Sequence, residues 1–240
     1  MSKVYDRAKS ALLFSSLIGK MIINKRKLSD DIDNNYKICR DISKSIIEKS
    51  GVEFLVSGVN NIPDNGSVLI ASNHRSFFDI IVLIAAIERT MSFVVADELY
   101  NYPFLKEYID SINCVSVDRE TTDPTALKKQ LSDMKNRLKD DGLILFPEGK
   151  CNYLEDEIDE FKKGGFVAAR NCKSIIVPTY IDVSNVTKLG RWVVPKDKIK
   201  VTFGNSFMPT DISDKKLSSS DIANYTRYKV LELKRVSKFY

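Results

Sequence analysis

The chain has 240 residues, 37 of them Lys or Arg against 32 Asp or Glu, with 43% hydrophobic residues, 10 Gly and 7 Pro. That composition excludes disordered, collagen-like and low-complexity chains, and the length lets one large domain, or one with a small appendage, bury its core without covalent staples. The net charge of +5 is unevenly spread, since residues 1–27 carry +6, residues 226–240 carry +4, and the body between them is acidic at −5. Cys39, Cys114, Cys151 and Cys172 lie far apart with no metal-ligand spacing, and His74 is the only histidine. No zinc site is expected from such a set, and the cysteines read as reduced thiols of a cytosolic compartment.

The first predicted element is a helix whose apolar stretch, Ala11 to Ile23, is flanked by Lys3, Arg7, Lys9 and by Lys25-Arg26-Lys27. Thirteen helical residues reach about 20 Å, short of the ~30 Å of a bilayer core. Asp6 and the absence of a small-residue cleavage site argue against a signal peptide. An apolar helix with basic flanks suits the interface of an anionic membrane, or else packs on the body with a solvated basic rim. The second helix opens at Ser29-Asp30-Asp31 and closes at Ser50-Gly51, with Ile32, Tyr36, Cys39, Ile42 and Ile46 on one stripe. Residues 1–50 therefore read as a helical hairpin ahead of a domain spanning 51–240.

From Val52 onward short apolar runs alternate with helical segments, the pattern of an α/β domain with a mixed, largely parallel sheet flanked by helices. Strands are predicted at Glu53–Ser57, Val68–Ala71, Phe93–Ala96, Cys114–Val117, Leu143–Phe146, Ile175–Tyr180 and Ile199–Phe203. Helices are predicted at Phe78–Glu88, Pro103–Ser111, Thr125–Asp140, Gly164–Asn171 and Ser220–Phe239. Gly190, Arg191 and Trp192 read as a loop.

In such sheets ligands bind beyond the carboxyl ends of strands, and four strand ends carry chemistry. After Val68–Ala71 comes Asn73-His74-Arg75-Ser76-Phe77-Phe78-Asp79. On one continuous helix His74 and Asp79 would point about 140° apart. With His74 in the loop and Asp79 in the helix's first turn, the carboxylate can hold one imidazole nitrogen and leave the other as a base. Arg119 leaves the end of Cys114–Val117 and suits a phosphate or a local salt bridge. Phe146-Pro147-Glu148-Gly149-Lys150 makes a tight exit that should aim Glu148 into a cleft, with Lys150 near an anion. Pro178 breaks the strand Ile175–Tyr180 and by itself indicates an edge or a bulge.

Together these blocks resemble the glycerolipid acyltransferase superfamily, in particular its 1-acyl-sn-glycerol-3-phosphate acyltransferases. Asn73-His74 through Asp79 matches the family's NHxxxxD block, Val117-Asp118-Arg119 the block ending in arginine, Phe146-Pro147-Glu148-Gly149 the FPEG block and Val177-Pro178-Thr179 the proline block. Phe161-Lys162-Lys163-Gly164 is similar to the segment that follows FPEG. The resemblance implies that His74, oriented by Asp79, activates the free sn-2 hydroxyl of lysophosphatidate, which attacks an acyl thioester directly to give phosphatidate, with no acyl-enzyme. Asn73, Arg119, Glu148, Gly149, Lys150 and Pro178 are then substrate-binding. Backbone N–H groups at the start of the Phe78 helix or near Gly149 would hold the oxyanion.

The same resemblance implies no cofactor and no metal, acyl-carrier protein or coenzyme A as donor, a lysophospholipid acceptor, and a peripheral or monotopic place on the cytoplasmic face of a membrane. This chain departs from the family where FPEG is often followed by Thr-Arg-Ser; it has Lys150-Cys151-Asn152, which leaves the acceptor's head group open. Another lyso-lipid or glycerol phosphate as acceptor is the near alternative. A hydrolase using Cys151 or Ser76, and a non-enzymatic lipid-binding or tethering protein, are more distant ones. Nucleic-acid binding is disfavoured by the acidic body.

Overall fold

The computed structural model of the protein describes residues 2–140, 142–152, 157–189, 192–212 and 217–237. The N-terminal pair is a helix α1 (Ser2–Asn24), a short 3-10 turn and a helix α2 (Ile32–Ser50). In α1, Leu13, Leu17 and Met21, four apart, face inward and are buried, whereas Leu12, Ile22 and Ile23 stand 71%, 61% and 71% exposed. One face is thus core and the other is an apolar strip left open. No helix among the described residues is long and apolar enough to cross a membrane.

The caps of α2 are those its sequence specifies. Asp31 accepts from the N–H groups of Asp33 and Asn34, and Gly51, in the left-handed region at φ 66°, ends the helix with its N–H on Glu48 O. Tyr36, Cys39, Ile42 and Ile46 are all buried, so the stripe faces the core as its spacing requires.

The body carries β1 (Glu53–Ser57), β2 (Val68–Ser72), α3 (Phe78–Ala86), β3 (Met91–Ala96), α4 (Pro103–Ser111), β4 (Val115–Val117), α5 (Pro124–Asp140), β5 (Gly142–Leu145), α6 (Gly164–Cys172), β6 (Ile175–Leu189), β7 (Trp192–Phe203) and α7 (Ser219–Ser237). The strands form one sheet in the order β1-β7-β6-β2-β5-β3-β4. Every neighbouring pair is parallel except β6 and β7. Those two follow each other directly, so they can fold back as an antiparallel hairpin; parallel neighbours need a crossover.

Side-chain alternation divides the molecule into three layers. Val68, Ile70, Ile144, Phe146, Val177 and Ile181 pack toward α1–α4. Their neighbours Leu69, Ala71, Leu143, Leu145, Ile176 and Tyr180 pack toward α5–α7. Strands covered on both faces must be apolar throughout, which is why β2 reads Val-Leu-Ile-Ala without alternation.

Two expectations change. The strands read as Ile175–Tyr180 and Ile199–Phe203 extend to Leu189 and back to Trp192, pairing only with each other past Ser184 and Lys198, with a register shift between Ser184 and Val186. Polar residues such as Asp182, Ser184, Asn185, Lys188, Lys196 and Asp197 interrupt the apolar runs there and concealed the extension. Trp192 is therefore the first residue of β7 and not part of a loop, while Gly190 and Arg191 lie outside the described residues. Pro178, moreover, is central. It pairs with Ala71 of β2 and sits where β7 gives way, between the pair Thr179 with Phe203 and the bridge Ile176 with Phe207. Its carbonyl still accepts from Gly204 N–H at 2.8 Å, and its missing donor falls where the ladder is already irregular.

Candidate active site

Neighbouring strands β2 and β5 send their chains to opposite faces of the sheet, β2 into α3 and β5 toward α6. Their carboxyl ends therefore open a crevice between diverging loops, the usual place for a ligand in an open α/β sheet. His74 leaves one strand and Phe146 through Gly149 leave the other.

Asp79 lies in the first turn of α3 and is 1% exposed. Its Oδ2 accepts from His74 Nδ1 at 2.9 Å, Arg75 N–H at 2.6 Å and Ser76 N–H at 2.8 Å. Two backbone donors beside the imidazole make this oxygen an acceptor only, so Nδ1 carries a proton, and in the neutral imidazole Nε2 is the nitrogen with the lone pair. The ring stacks on Phe146 with centroids 4.0 Å apart and planes 17° from parallel. His74 does stand in the loop, as its spacing from Asp79 demanded. Ser76 is 2% exposed, and its Oγ caps Phe78 N–H at 3.0 Å, an occupation that suits a helix start and not a nucleophile.

The turn after β5 is closed by Gly149 N–H on Phe146 O at 3.1 Å. Gly149 has φ 70°, a conformation that requires glycine, whereas the Lys162 side-chain end that a Cβ would meet at 2.9 Å is flexible enough to move. Glu148 does not aim into the cleft. It is 3% exposed, with Oε1 accepting His74 N–H at 2.8 Å and Oε2 accepting Asn152 Nδ2 at 2.6 Å and Asp159 N–H at 2.9 Å. Burial is the main cause that raises its carboxyl above the usual carboxylate range, opposed by these hydrogen bonds. The side chain braces two loops.

Asn73 is likewise inward. Its amide exchanges hydrogen bonds with the backbone of Ile181, Nδ2 to the carbonyl at 3.0 Å and Oδ1 from the N–H at 2.8 Å. Lys150 pairs with Asp159 at 2.8 Å, and that lysine is the first cause holding the Asp159 carboxyl below its ordinary value. Arg119 does join the turn, its Nη1 on Gly149 O at 3.2 Å and its Nη2 on both carboxylate oxygens of Glu98 at 3.3 Å. Pro178 is buried in the sheet. The structure thus gathers His74, Asp79, Glu148, Gly149 and Arg119 around one crevice, whereas Asn73, Pro178 and the Glu148 carboxylate serve the frame.

A family model described as Acyltransferase matches residues 53–182, more than half the chain. The chain belongs to the acyltransferase family. It is similar to a probable 1-acyl-sn-glycerol-3-phosphate acyltransferase of Mycoplasma pneumoniae, 29% identical over 233 residues, covering 89% of this chain and 83% of the relative. The 1-acyl-sn-glycerol-3-phosphate acyltransferase of Bacillus subtilis is 26% identical over 207 residues, covering 83% and 98%. The fold matches the crystal structure of the 1-acyl-sn-glycerophosphate (LPA) acyltransferase from Thermotoga maritima with a TM-score of 0.78 at 21% identity, over 99% of this chain and 98% of that one.

Beside the acyltransferase crevice lies a cavity of about 90 Å³ between the N-terminal helices and the sheet, lined by Leu17, Met21, Ile42, Phe77, Ile81 and Phe93 among others. Phe77 belongs to the loop joining His74 to Asp79, so the cavity begins next to the reactive pair. Of the backbone donors at the start of the Phe78 helix and near Gly149, the regions expected to hold an oxyanion, Gly149 N–H is taken by Phe146 O and Phe78 N–H by Ser76 Oγ. Sequence reasoning missed Phe146 as the ring under His74, Glu98 as the partner of Arg119, and Asn152 and Asp159 as partners of Glu148. A stacking ring and a carboxylate brace depend on loops brought together by the sheet; only the apolar strand end at Phe146 signalled its burial.

The raised carboxyl of Glu148 has a defined linkage sign. Its folded value exceeds the ordinary 4.5, so the folded protein takes up the proton first, and wild type gains stability relative to Glu148→Gln as pH falls through that folded value toward 4.5. Denaturant unfolding of both proteins across this interval reads the difference; a constant or reversed difference would contradict the linkage.

Proposed function

We propose that the enzyme transfers a fatty acyl group from an acyl thioester to the free sn-2 hydroxyl of lysophosphatidate, forming phosphatidate and a free thiol. The observation that carries the reading is the buried Asp79 carboxylate on His74 Nδ1, which leaves Nε2 as a base at the mouth of the crevice. His74 removes the hydroxyl proton as the acceptor oxygen attacks the thioester carbonyl. Collapse of the tetrahedral adduct breaks the carbon–sulfur bond, and the imidazolium returns the proton to the departing thiolate. No serine or cysteine need carry the acyl group.

Arg119 is the phosphate ligand in this reading. It is only loosely held by Glu98 on an exposed surface, a pairing of small worth that a phosphate can displace. The cavity flanked by Phe77 receives the acyl chain, and either acyl-carrier protein or coenzyme A serves as donor because both present a thioester. The names of the bacterial relatives support lysophosphatidate as acceptor.

Residues 1–50 form the membrane-interface unit and 51–240 the catalytic one, with the enzyme peripheral or monotopic on the cytoplasmic face. Exposed Leu12, Ile22 and Ile23 beside Lys20, Lys25, Arg26 and Lys27 support insertion of α1 into one leaflet of an anionic bilayer.

His74→Ala should lower transfer of labelled acyl groups to lysophosphatidate by about 10²–10⁴-fold while the protein stays folded; retained turnover would refute the base assignment. Arg119→Ala should raise the KM for lysophosphatidate about tenfold and leave the donor KM unchanged, and equal effects on both substrates would remove its phosphate role. Replacing Leu12, Ile22 and Ile23 by Ser should weaken sedimentation with anionic phospholipid vesicles by about tenfold or more. Unaltered vesicle binding would make that strip irrelevant to the membrane.

A further inference from the structure

The main chain of His74 is gripped from both sides by the segment that follows β5. Its N–H donates to Glu148 Oε1 at 2.8 Å, and its carbonyl accepts from Asn152 N–H at 2.9 Å. Asn152 is 6% exposed. Its side-chain amide donates to Glu148 Oε2 at 2.6 Å and to Asp159 Oδ2 at 2.9 Å. The Asp159 N–H reaches the same Glu148 oxygen, and Arg227 of α7 holds the carbonyls of Ile158 and Asp159. Asn152 thus touches His74 through its backbone and both carboxylates through its amide.

The chemistry of the amide fits that place. Glu148 and Asp159 bring two carboxylates to one point, and an uncharged NH2 group supplies one hydrogen for each. Without it Asp159 Oδ2 keeps its Lys150 partner and Glu148 Oε2 keeps the Asp159 N–H, but no side chain ties the two carboxylates together, and Glu148 loses a restraint on the oxygen opposite the one that holds His74 N–H. The effect at the imidazole is indirect. A turn of the His74 backbone shifts the ring off Phe146 and lengthens its bond to Asp79, and a misplacement of this kind is costly to a proton transfer.

We propose that Asn152 is a positioning residue for His74, fixing the backbone of the base through its own N–H and through the Glu148 carboxylate that its amide restrains. The inference rests on the reading of His74 as the general base. It places a role at the position where this chain departs from the FPEG-Thr-Arg-Ser pattern.

Because His74 is the only histidine, its ring can be followed directly by NMR in the full chain labelled with ¹⁵N-histidine. Asn152→Ala should make the Nδ1–H proton exchange at least about tenfold faster and lower kcat about tenfold, with the lysophosphatidate KM within about twofold of wild type. Asn152→Ser, which retains one O–H donor, should recover part of both effects and decides the matter if the alanine variant does not fold. A wild-type imidazole signal and wild-type kcat in the variant that folds would overturn the proposal, as would a loss in kcat with the imidazole signal unchanged. If His74→Ala kept full activity while the imidazole still responded to Asn152, the base assignment would fall and the positioning would stand.

Discussion

The Asp79 carboxylate is the constraint on which the site depends. It is buried, and a buried carboxylate is tolerable only where donors converge on it. Here they are the imidazole and two successive backbone N–H groups, those of Arg75 and Ser76. Satisfying the charge therefore requires the loop between β2 and α3 to curl over the helix start. The same curl sets the tautomer of His74. The requirement for charge satisfaction and the requirement for a free Nε2 are met by one conformation of the loop, so the pairing of His74 with Asp79 follows from folding.

That conformation would be a local feature without the crossover pattern of the sheet. Since α3 and α6 depart to opposite faces, the loop of the acid–base pair and the loop of Glu148 are adjacent at their origins and diverge only afterwards. Phe146 can lie under the imidazole because Ala71 and Leu145 are paired neighbours in β2 and β5. Glu148, two residues further, is then within reach of the His74 backbone. The antiparallel β6–β7 hairpin completes the frame from the other side, where Asn73 locks the β2 loop to Ile181.

The parts of this arrangement written in local pattern were legible. The cap and stripe of α2, the apolar runs of the parallel strands, and the His74 loop followed by Asp79 in a helical first turn each follow from spacing within about ten residues. What could not be read was the direction of polar side chains whose partners lie far along the chain. Glu148 looked like a ligand-facing carboxylate because Pro and Gly flank it, yet its donors come from residues 74, 152 and 159. Lys150 looked like an anion contact and is paired with Asp159. The outer halves of β6 and β7 were hidden because polar residues such as Asn185, Lys188, Lys196 and Asp197 break the apolar runs there.

Under the proposed function the N-terminal helices would connect this polar chemistry to an apolar substrate. Leu17 and Met21 of α1 line the cavity beside Phe77, while Leu12, Ile22 and Ile23 of the same helix remain exposed. A helix whose inner residues wall the acyl cavity and whose outer residues enter a leaflet would place the crevice at the level where lysophospholipid head groups lie. The acyl chain would then remain in apolar surroundings on one side of α1 or the other throughout the reaction. The hydrophobic effect would hold the enzyme at its substrate, and only the hydroxyl, the thioester and the phosphate would have to meet the polar loops.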